Sequence, residues 1–239
     1  PFTSDNIIEK VEKWITEKPI INAESSNLNV TTKTDNFAVG LADIDSQLGQ
    51  SIPKNAFIFA YGAPNCNTQQ ITSPFIEDGL KKQQTMLQLS LNHQEAQPSF
   101  NQDIHETSKY LSYVNASQWT NIASNPWRNL DYIYDFLSEQ CEQRPIHRIV
   151  IDGLHQGFPF WDIKDILKFI DLCKTLPNNE NQIMLWTSFT HPKLSLHKFY
   201  IQNVMDIGIQ LTHKDSTDNI TLYFNRLSKK NTHSPIFNQ

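Results

Sequence analysis

Glycine is scarce in this chain, with 7 in 239 residues, against roughly 7% in ordinary proteins. Glycine lets backbone pass close to a phosphate, so few positions here can serve a nucleotide that way. Cysteine is scarce too: Cys66, Cys141 and Cys173 are an odd, widely spaced set with no CxxC pair. That usage predicts reduced thiols in a cytoplasmic protein, or a nucleo-cytoplasmic one in a eukaryote, and no disulfide framework. The 8 histidines show no HxxxH spacing, so no metal site is expected. No G-x-S-x-G elbow occurs. No apolar run approaches the ~18 residues of a membrane span, and residues 1–10 lack the basic and apolar regions of a signal peptide. Lys and Arg number 20 against 25 Asp and Glu, a net charge of −5. This balance argues against a general nucleic-acid-binding surface.

What the chain does contain is an alternation. Residues 5–17 carry Ile7, Ile8, Val11, Trp14 and Ile15 at helical spacing after a capping Asp5, and Pro19 ends the pattern. Residues 22–36 are polar and read as an arm. From residue 37 onward, strands are expected at 57–61, 85–91, 110–114, 148–151 and 182–186. Helices are expected at 69–80, 130–141 and 163–176. Two last strands, 204–211 and 220–227, flank a polar turn at 214–219 and predict a hairpin. Strands alternating with helices predict an α/β domain over 37–239 with a mostly parallel sheet, preceded by a helix and arm over 1–36.

The stretch between the first strand and its helix reads Gly-Ala-Pro-Asn-Cys-Asn-Thr-Gln from Gly62 to Gln69. It stands where a phosphate-binding loop, G-x-x-x-x-G-K-[ST], would stand. In such a loop backbone N–H groups and a Lys cradle phosphates, and a hydroxyl binds Mg²⁺. Gly62 holds the first position. Asn67 replaces the second Gly, Thr68 the Lys and Gln69 the Ser/Thr. Neither Thr68 nor Gln69 is cationic, and Gln is a poor ligand for a hard cation. Asn65, Asn67 and the helix N-terminus keep the means to hold an anion weakly.

Further pieces fall in order around this loop. Gly40-Leu41-Ala42-Asp43-Ile44-Asp45 and Ser51-Ile52-Pro53-Lys54 precede the first strand. Phe75-Ile76-Glu77-Asp78-Gly79-Leu80 follows it. A strand ends Ile149-Val150-Ile151-Asp152-Gly153, and Asp206-Ile207-Gly208-Ile209-Gln210-Leu211 comes later. The chain closes with Arg226, Lys229, Lys230, Thr232 and His233. This order and spacing resemble the KaiC-like branch of the RecA-like ATPases and cover most of the chain. The resemblance implies a RecA-like three-layer domain ending in a β-hairpin. Asp152 then falls at the Mg²⁺-site carboxylate (the Walker B position), while Asn92 and His93 fall at the catalytic glutamates. Asn92 cannot take a proton near neutral pH, and Glu95, the nearest carboxylate, is out of register.

Loop and base positions are thus lost together. The expectation is a pseudo-ATPase without a cofactor, a structural or regulatory subunit assembling with other protein subunits. Two other readings stand beside it: a nucleic-acid-binding accessory factor, of the Elongator or recombinase-paralogue type, and a weak atypical ATPase using Asp152 and His93. Candidate interface residues are Phe158, Phe160 and Trp161, an aromatic loop that is an anchor if exposed and packing if buried, together with Arg226, Lys229 and Lys230.

Overall fold

The computed structural model describes residues 37–48, 52–64, 66–92, 109–116, 119, 126–177, 179–191, 200–201, 203–214 and 217–224. The chain divides into two units, 1–31 and 32–239, and every described residue belongs to the second. The helix expected at 5–17, the arm, Asn65, His93, Arg226, Lys229 and Lys230 lie outside the described residues.

Strands β1 (Phe57–Gly62), β2 (Met86–Ser90), β3 (Leu111–Asn115), β4 (Arg148–Asp152), β5 (Ile183–Phe189), β6 (Ile207–Lys214) and β7 (Thr217–Phe224) form one sheet. The order across its seven strands is β3-β2-β4-β5-β1-β6-β7. All neighbours are parallel except β6 and β7, which run antiparallel. Helices are α1 (Ala42–Gln47), α2 (Gln69–Lys81), α3 (Leu130–Gln143) and α4 (Ile163–Cys173). Every residue of β1, β2 and β4 is buried. Such strands need cover on both faces, which explains their continuous apolar runs.

Alternation sorts the cover into two layers. Phe57, Phe59 and Tyr61 of β1 pack with Ile133 and Leu137 of α3 and Ile166, Phe169 and Ile170 of α4. Ile58 and Ala60, pointing the other way, pack with Ile44 of α1 and Ile71, Phe75 and Ile76 of α2. The chain therefore leaves β1 for one face and β4 for the other, with β5 between them. Open α/β sheets place ligands in the crevice that such a reversal opens, at the C-terminal ends of the strands. The 62–69 loop and Asp152 both sit on that rim.

The last two strands extend further than their sequence pattern. The polar stretch 214–219 reads as a turn, yet the ladder continues to Lys214 opposite Thr217. Backbone pairing continues where apolar alternation stops, because the hydrogen bonds belong to the main chain. Among the described residues no helix is long and apolar enough to cross a membrane.

Candidate functional site

β1 delivers the chain to Gly62, whose carbonyl accepts from Thr190 N at 2.6 Å. A Cβ at Gly62 would lie 2.8 Å from Leu211 Cβ and 2.9 Å from Cys66 Cβ. Packing against β6 and the loop's own thiol thus accounts for this glycine, with no phosphate required. The turn closes when Cys66 N donates to Ala63 O at 2.9 Å. Cys66 is buried, and its thiol reaches Leu211 O at 3.6 Å. The side chain thus packs between Gly62 and Leu211 of β6.

Asn67 occupies the helix entrance. Its Oδ1 accepts from Gln69 N at 3.0 Å, and its carbonyl accepts from Gln70 N at 3.2 Å. The amide side chain thereby takes a backbone donor that an anion would need. Thr68, at the lysine position, is buried, and its hydroxyl makes no cap bond. Its carbonyl receives Ile71 N and Thr72 N at 3.0 and 3.1 Å, so at the helix start the side-chain contact comes from Asn67.

β4 ends at Asp152, buried to 2% exposure. One carboxyl oxygen accepts from Thr187 Oγ1 of β5, and the other accepts from Asn92 Nδ2 at 3.3 Å. Thr187 Oγ1 in turn accepts from Gly153 N at 3.3 Å, and Leu91 N donates to the Asp152 carbonyl at 2.8 Å. Asn92 N is held by Ser90 Oγ at 3.3 Å. Gly153 turns the chain at φ +83°, where a Cβ would meet Asn92 Oδ1 at 2.4 Å. That left-handed turn and close approach need glycine. The Asp152 carboxyl therefore links the ends of β2, β4 and β5. Thr187, a polar residue inside an apolar strand, is the member of this cluster that the sequence reading passed over.

The aromatic loop after β4 divides. Phe158 and Trp161 are buried, whereas Phe160 is 47% exposed. Trp161 Nε1 donates to Arg128 O at 2.9 Å.

At the opposite end of β4 sits a group that the sequence pattern hid. Arg148 is fully buried. Its Nε donates to Gln84 Oε1 at 2.6 Å, and its Nη1 donates to Ala38 O and Phe75 O at 2.9 and 2.8 Å. Its Nη2 pairs with Asp78 Oδ2, which also meets Lys82 at 2.8 Å. Gly79 is needed beside it, since a Cβ there would lie 2.9 Å from Arg148 Cδ. Residues Gly40 to Asp45, which carried part of the resemblance, serve the same region. Asp45 accepts from Val39 N and Gly40 N at 2.7 and 2.9 Å, fixing the strap that brings Ala38 O to Arg148. A cavity of about 400 Å³ opens at this rim, lined in part by Lys54, Phe57, Lys174, Gln182 and Asp206. Among the described residues no cluster of His, Cys, Asp or Glu has the makings of a metal site.

The chain matches no model of a known protein family, and no curated protein matches it significantly.

Proposed function

We propose that this chain is a RecA-like, KaiC-related subunit that has given up ATP turnover and works by assembling with other protein subunits. One observation carries the reading: both carboxyl oxygens of Asp152 accept hydrogen bonds from within the fold, from Thr187 and Asn92. A carboxylate that positions Mg²⁺ presents an oxygen to the ion or its waters. Asn92 stands where the resemblance places a catalytic glutamate, and there it donates to the carboxyl across the strand ends. The loop supports the same reading, since the Asn67 side chain takes the Gln69 N–H and no cation stands at position 68. The mostly parallel sheet flanked by helices is compatible with this reading.

The test is steady-state ATP turnover with Mg²⁺ for the native chain and Asp152→Asn, run beside light scattering. The expected rate is background for both, with mass above that of one chain, alone or with a co-purifying subunit. Turnover that drops in Asp152→Asn would refute the loss of catalysis. A strict monomer with no associated subunit would refute assembly.

A further inference from the structure

Residues 126–131 and 157–169 build a surface that neither the loop nor Asp152 uses. Phe160 is 47% exposed, and it has partners on two sides. Its backbone N donates to Gly157 O at 2.8 Å. The Arg128 guanidinium lies over it at 4.2 Å, and Trp127 meets it edge-on at 5.7 Å. The buried Trp161 ties the two segments together through its bond to Arg128 O. Gly157 makes this arrangement possible, since a Cβ there would stand 2.1 Å from the Trp161 ring. Beside Phe160 runs a groove of about 240 Å³. Its floor includes Leu130, Trp161 and Phe169, and its rim includes Arg128, Asp165 and the ion pair of Lys168 with Asp131.

The charges on that rim are uneven in their partnering. Lys168 and Asp131 neutralise each other at 3.2 Å. Arg128 stacks on two rings, and among the described residues no carboxylate pairs with it. A guanidinium stacked this way is pre-organised, with its fork of donors still to be met. We infer that this surface docks a protein segment carrying one bulky apolar side chain next to a carboxylate. The apolar group fills the groove against Phe160, and the carboxylate meets Arg128. Aromatic and arginine anchors of this kind dominate protein interfaces. Single-stranded nucleic acid also stacks on aromatics. It fits less well, because a strand carries a phosphate at every nucleotide and would set several of them against the exposed Asp131 and Asp165, whereas a single carboxylate needs only Arg128. The inference extends the assembly reading by naming the contact.

The experiment titrates the full chain, without nucleotide, into a short labelled peptide of Glu, Leu and Phe, followed by fluorescence anisotropy. Parallel probes are the same peptide with Lys for Glu and an oligouridine RNA. The acidic peptide is expected to bind, with affinity falling about tenfold or more in Arg128→Glu and in Phe160→Ala. Arg128→Lys, which keeps the charge and loses the planar fork, is expected to fall between. Both residues are exposed, so the melting temperature should hold in every variant. Equal affinity in the variants, tighter binding of the Lys peptide or the RNA, or no peptide binding would each overturn the inference. So would self-association in sedimentation that Phe160→Ala abolishes, which would give the surface to a second copy. ATP turnover in the earlier assay would defeat the pseudo-ATPase reading and leave this one standing.

Discussion

The two ends of β4 are both closed by a buried charged side chain, and they solve opposite problems. At the N-terminal end Arg148 brings a fork of donors and collects acceptors from Gln84, Ala38, Phe75 and Asp78. At the C-terminal end Asp152 brings two acceptor oxygens and collects donors from Thr187 and Asn92. A buried charge is tolerated when its hydrogen-bonding capacity is met. Arg148 binds a helix and the strap to the sheet edge-on. Asp152 binds strand ends to one another. The resemblance makes one end an old active site, yet the packing now treats both ends alike. At both ends the side chain's hydrogen bonds are met from within the fold.

Breaking the Arg148 end should cost the most. Arg148→Ala strips the donors from two backbone carbonyls and Gln84 and leaves a void, an expected loss of about 3–5 kcal/mol in urea unfolding. Asp78 keeps Lys82, so a loss far below that range would mean that water replaces the guanidinium. The Asp152 end should cost less. Thr187→Val keeps the shape and removes the hydroxyl that serves both Asp152 and Gly153 N, for about 1–3 kcal/mol. If Asp152 is a clasp, combining Thr187→Val with Asp152→Asn should be non-additive. Additive losses would separate the two residues and weaken the comparison.

The smallest effect is a pH dependence beside Arg148. His147 Nδ1 faces Thr85 N at 3.2 Å and Thr85 Oγ1 at 2.8 Å. Burial, and then the Arg148 charge, hold its pKa below the ordinary 6.5. A lowered folded pKa means that the neutral ring is favoured in the fold. Its contribution is complete above pH ~6.5 and fades as pH falls from there toward the folded value. Unfolding free energy measured between pH 7 and 5 should decline, and His147→Gln should flatten that decline. An unchanged slope in the variant would assign the pH dependence to other groups.

Much of the sheet is legible in the sequence, because buried parallel strands write themselves as apolar runs. The strands at 57–62, 86–90 and 148–152 follow such runs to within a residue, while β5 runs three residues past its expected end at 186. α3 and α4 follow their helical spacing, though α4 stops at Cys173, short of the expected 176. β6 begins at Ile207 and not at the expected 204, where the chain is still helical, and the β6/β7 pairing runs on into the polar stretch expected to be a turn. α1 was read as a motif segment, since six residues are too few to show a period. Asp152 stood out as a carboxylate at the end of an apolar run. Arg148 opens the same expected strand, but nothing in the run shows which partners its charge would find. Its burial depends on acceptors from four residues distant in the chain, and no local pattern announces that. Thr187 was hidden likewise, because its partner comes from another strand.

The spread of those acceptors has a kinetic meaning. Gln84, Asp78, Phe75 and Ala38 lie 64, 70, 73 and 110 residues from Arg148 along the chain. Contacts so far apart in sequence form late, after the entropy of closing long loops has been met. Until the strap, α2 and β4 have come together, the guanidinium does better in water than inside. The residue thus penalises half-built sheets and favours the finished one. Its loss should therefore appear mainly as faster unfolding, with the folding rate little changed.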